Sequence, residues 1–67
     1  MNEAKFPEVT VRLVGADGNA FSIISRVARG LRRGGHAGAA VEFEREAFAA
    51  TSYDEVLRLA MSYVEVL

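Results

Sequence analysis

Along the chain, the spacing of apolar residues changes period. In "EVTVRLVG", Val9, Val11 and Leu13 alternate with Thr10 and Arg12, the period-two pattern of a strand with one buried face. Beyond "VGADGNAF" the period lengthens. Phe21, Ile24, Val27, Ala28 and Leu31 recur at spacings of three and four and predict an amphipathic helix over residues 20–33. Gly34 and Gly35 end it with a left-handed stop. Gly30, inside the helix, costs ~1 kcal/mol relative to Ala, and close packing against a neighbour accounts for its presence.

A second helix is predicted over residues 37–50, with Ala40, Phe43, Ala47 and Ala50 on one face and Val41 and Phe48 beside them. The third has the clearest start. In "TSYDEV", Ser52 caps the main chain and Glu55, three residues on, reaches back in a capping box. Val56, Leu57, Ala60, Met61 and Val64 form its apolar stripe. The final "YVEVL" alternates again, which allows a short strand pairing with the first, although no turn separates it from the helix. The fold class is therefore α+β: a flexible arm over residues 1–8, then one compact β-α-α-α domain over 9–67 with a second short C-terminal strand as an option. The expected core is Val11, Leu13, Phe21, Ile24, Val27, Leu31, Phe43, Phe48, Leu57, Ala60 and Met61. A lone strand has open edges that the C-terminus, a hairpin partner or a second copy must cover, so a homo-oligomer through that edge is one expectation.

Size sharpens this picture. Sixty-seven residues bury only about 60% of the surface of the unfolded chain. There is no cysteine for a disulfide and one histidine, His36, for a metal, so no metal or cofactor is expected and helix packing must carry the stability. No apolar run approaches the ~18 residues of a membrane span. The polar start "MNEAKFPE" has no signal-peptide core, and the reading is a cytoplasmic protein without membrane contact. Charge is unevenly spread. Residues 1–41 hold six basic and three acidic side chains, net +3, and residues 42–67 hold two basic and six acidic, net −4.

"VGADGNAF" resembles a phosphate loop only superficially. Its two glycines have the wrong spacing for a dinucleotide or P-loop motif, and it has no lysine. Asp17 or Asn19 capping the next helix is the simpler reading. The arginines Arg26, Arg29, Arg32 and Arg33 form a dense basic group. Arg32 and Arg33 suit a helix C-terminus; the set together reads first as a solvated face, with a contact to an acidic protein or to nucleic acid as the alternatives. Glu42, Glu46, Asp54 and Glu55 form the acidic counterpart, with Glu42 also placed to pair with Arg45 at i+3. Nothing in the sequence assembles a nucleophile, base and oxyanion donor, so the expectation is a non-enzyme.

The run "VRLVGADGNAFSIISRVARGLRR", with "SYDEVLRLAMSYVEV" near the end, resembles a family of short uncharacterised proteins of bacteria, phages and mobile elements that open on V-x-L-x-G-x-D-G-N-A-F. The sequence departs from that pattern at "TSYDEV" and in its Ala-rich middle. No residue inherits a role. The resemblance implies a mobile-element accessory protein; by analogy with small phage proteins of this size, its most concrete form is a counter-defence, anti-CRISPR-like inhibitor. Such an inhibitor would bind a host protein complex and occlude its basic nucleic-acid-binding surface with the acidic residues. The competing expectation is a small nucleic-acid-binding accessory protein that uses the arginines.

Overall fold

A computed structural model describes residues 4–13 and 19–67. Strand β1 (Phe6–Val11) leads to helices α1 (Ala20–Arg33), α2 (Ala37–Ala49) and α3 (Tyr53–Tyr63), and the chain passes directly into strand β2 (Val64–Val66). The α+β domain thus has its second strand. β1 and β2 form a two-stranded parallel sheet, with Val11 beside Val66, Thr10 beside Glu65 and Phe6 beside Val64. A parallel pair needs a long crossover, and here the three helices supply it. β1 begins three residues before the alternation does, inside the expected arm. Pro7 lies within the irregularity between Phe6 and Thr10, where its missing N–H breaks no regular ladder.

The caps follow the local chemistry. The Asn19 Oδ1 accepts from the Phe21 N–H at 2.8 Å and starts α1; Asp17, the other candidate cap, lies outside the described residues. At the far end, the His36 N–H donates to the Leu31 carbonyl at 2.8 Å and the Gly35 N–H to Arg32 at 3.0 Å. This is the paired 6→1 and 5→2 geometry of a Schellman stop, and Gly35 supplies its positive φ of 89°.

The core gathers where the helices meet the inner face of the sheet. Val9, Val11 and Val64 pack with Ile23, Ile24, Val27, Ala28, Leu31, Ala40, Phe43, Ala47, Val56, Ala60 and Tyr63. Three expected core residues face water instead: Phe21 is 64% exposed, Phe48 59% and Met61 52%. Leu13 and Leu57 are half-buried. Phe48 follows the buried Phe43 by five residues, which turns it ~140° around the helix. Tyr63 is fully buried at the point where α3 becomes β2.

Gly30 sets how closely α1 lies on the sheet. A Cβ there would stand 2.9 Å from Val11 Cγ2 and 3.5 Å from Val9 Cγ1. Both valines are buried, and a β-branched side chain has little rotamer freedom to yield. Gly38 in α2 has no such neighbour within 4 Å among the described residues. The two glycines should therefore respond oppositely to alanine. Gly38→Ala should raise stability by up to ~1 kcal/mol, while Gly30→Ala should lower the melting temperature; thermal unfolding of the two variants by circular dichroism checks the sign.

Candidate functional site

The structure sorts the charged residues by place. Of the four α1 arginines, Arg26, Arg29 and Arg33 line a groove with Thr10, Arg12 and Gly30 between α1 and β1. Arg32 is turned away, its Nη2 3.0 Å from Glu44 Oε1. In the sequence Arg12 is legible only as a polar position on the strand; the close packing of β1 on α1 brings it to the other arginines.

The acidic residues divide into two groups. Glu42 and Glu46 of α2 flank the Tyr63 hydroxyl, which donates to Glu46 Oε1 at 3.3 Å. The Tyr63 ring meets Phe43 edge-on at 5.2 Å, and Lys5 Nζ lies 4.4 Å from its centroid. Burial, then the charges of Glu46 and Glu42, push the Tyr63 phenol up to about 12. No Glu42–Arg45 ion pair forms among the described residues; Glu42 acts on Tyr63 instead.

Asp54 and Glu55 belong to the first turn of α3, with Glu55 roughly 12 Å along the helix from Tyr63. Acids in a first turn complement the positive end of the helix. Asp54 Oδ2 pairs with Arg58 Nη2 at 2.8 Å. Ser52 Oγ accepts from the Glu55 N–H at 3.1 Å. The Glu55 carboxylate reaches one residue further than the usual capping box and accepts from the Thr51 N–H at 2.8 Å and its hydroxyl at 3.1 Å. Those two bonds, the main-chain one foremost, hold the Glu55 carboxyl below its ordinary 4.5. Glu8 is lowered too, first by its own main-chain N–H and then by His36, whose Nε2 lies 2.8 Å from Glu8 Oε2. His36 is thus a strand-to-helix tie, with its ring 4.2 Å from that of Phe6.

A third surface is not visible in the sequence pattern. The exposed rings of Phe21 and Phe48 lie 5.8 Å apart. They border an open, mostly apolar cleft with Ile24, Ala47, Thr51, Ser52 and Val56. Because Glu55 is bonded to Thr51, a carboxylate stands at the rim. Periodicity counts both phenylalanines as core because it records which residues share a face, not whether another element covers that face.

Among the described residues, no group of three or more His, Cys, Asp or Glu side chains is placed to hold a metal ion, and no helix is long and apolar enough to cross a membrane. No family model, curated protein or solved structure matches the chain.

Two titrations check these placements. Glu55→Gln keeps an acceptor for Thr51 but removes the charge. A carboxyl with a lowered folded pKa contributes stability above its unfolded value, and that contribution is lost as pH falls through the folded one. The wild type should therefore lose stability on acidification from about pH 4.5 downward, and the variant should lose less across that window; denaturant midpoints measured across the range test it. In the folded protein one of the two tyrosines should ionise only near pH 12 by ultraviolet absorbance, and Tyr63→Phe should remove that late step.

Proposed function

We propose that the chain is a non-catalytic protein-binding module that seats an apolar anchor of its partner against Phe21 and Phe48. The supporting observation is the exposed aromatic pair itself, beside an open apolar cleft. Large exposed apolar patches rimmed by polar groups are where proteins bind one another, and aromatic anchors dominate the energy of such contacts. With the Glu55 carboxylate held at its rim by Thr51, the cleft suits a partner surface that is apolar at its centre and basic around it. A nucleic-acid-binding surface of a host complex has that character. In its most concrete form the module is a counter-defence inhibitor of phage or mobile-element origin that occludes such a surface, a reading supported by the resemblance of residues 9–66 to short mobile-element proteins. Glu42 and Glu46 then add long-range attraction more than contact energy. The competing nucleic-acid role has less support. Arg32 is paired with Glu44, and among the described residues no aromatic ring lines the groove of the other three arginines for base stacking.

The immobilised chain should retain a discrete protein or complex from bacterial host lysate. The double substitution Phe21→Ser/Phe48→Ser should abolish retention while leaving the circular dichroism spectrum unchanged. Added wild-type chain should also prevent the captured complex from shifting its nucleic acid in a gel. Equal retention by both forms, or a captured complex that still binds its nucleic acid, would overturn the reading.

A further inference from the structure

Among the described residues, the edge of β1 opposite β2 carries no strand. The Val11 carbonyl accepts from the Leu67 N–H at 3.0 Å, and the Leu13 N–H donates to the Leu67 carbonyl at 3.0 Å, so both residues turn their main-chain groups toward β2. Alternation along a strand sends those of Thr10 and Arg12 to the other edge. There the Arg12 carbonyl accepts from Arg26 Nη1 at 3.3 Å.

This edge forms one wall of the arginine groove. Thr10, Arg12, Arg26, Arg29 and Arg33 line it, and it continues past Gly30 to Gly34 and Glu8. Unlike Arg32 and Arg58, none of these arginines has a carboxylate partner among the described residues. Charged side chains at a sheet edge commonly prevent unwanted pairing. Arginines do so selectively. Edge-to-edge pairing with a second copy would set Arg12 and Arg26 against their own counterparts, which disfavours the homo-oligomer. A strand carrying carboxylates meets the opposite field.

We propose that this groove binds an extended acidic segment of a partner protein, which adds to β1 as a third strand. Its main chain takes the Thr10 N–H and carbonyl, and its carboxylates meet Arg12, Arg29 and Arg33. Main-chain bonds of this kind give affinity, while the flanking side chains select the sequence. The groove shares no lining residue with the Phe21–Phe48 cleft, so the inference stands or falls independently of that surface.

The test uses the full chain and a labelled, end-capped peptide of about eight residues alternating Glu with Val. Two comparison probes are the same peptide with Lys in place of Glu and a single-stranded oligonucleotide. Fluorescence anisotropy should show saturable binding of the acidic peptide alone, weakening as salt rises. Arg29→Glu/Arg33→Glu should reduce affinity by on the order of tenfold or more. Hydrogen exchange should show the Thr10 amide protected only when peptide is bound. Thr10→Pro, which removes that donor and leaves the arginines in place, should weaken binding at unchanged salt dependence; should it unfold the chain, protection of the Thr10 amide in the wild type decides the same point. Tighter binding of the oligonucleotide would assign the groove to nucleic acid and overturn the proposal. So would failure of the acidic peptide to bind, or its binding without protection of Thr10.

Discussion

Everything in this fold rests on the close approach of α1 to β1 at Gly30. A six-residue strand beside a three-residue strand buries too little to hold itself together. Its apolar face must lie directly on a helix. The missing Cβ at Gly30 lets the α1 main chain reach Val9 and Val11, and the contact places Val27 and Leu31 in the fully buried interior. The same approach brings the other flank of α1 up to the sheet's outer edge. The arginine groove is therefore a by-product of core packing: residues on the polar flank of a helix become the wall of a groove because the helix sits so near.

The acidic half of the molecule follows a different logic. Most of its carboxylates have local structural work. Glu55 and Ser52 fix the start of α3, Asp54 pairs one turn along the same helix, and Glu46 takes the hydroxyl of a buried tyrosine. Exposed pairs of this sort contribute little stability individually, but they help set where α3 begins and how α2 meets it. What remains open for a partner on this side is mainly apolar, at the two phenylalanines.

Much of the architecture is legible in the sequence because local chemistry and tertiary structure agree. The Asn19 and Ser52 caps, the glycine stop at Gly34 and Gly35, and the alternation of "YVEVL" all act within a few residues, and each element forms where those signals lie. Gly30 is legible as a helical glycine that needs a close neighbour. The exposed aromatics are not. Phe21, Phe48 and Met61 continue the apolar stripes of their helices, and nothing local distinguishes a stripe that is covered from one that overruns its cover. The separation of Arg32 from Arg26, Arg29 and Arg33 is equally hidden, because it depends on which flank β1 occupies and on where Glu44 arrives from another helix.

The parallel pairing of β1 with β2 also sets an order of events during synthesis. Phe6 finds Val64 only after all of the chain between them has been made, and contacts so distant in sequence close slowly compared with the turns of a helix. While the ribosome is still building α3, β1 has no strand beside it. The α1 surface around Gly30 is the only cover within α1 and β1 for Val9 and Val11 in that interval, and the sheet is complete only once Val64–Val66 has been added.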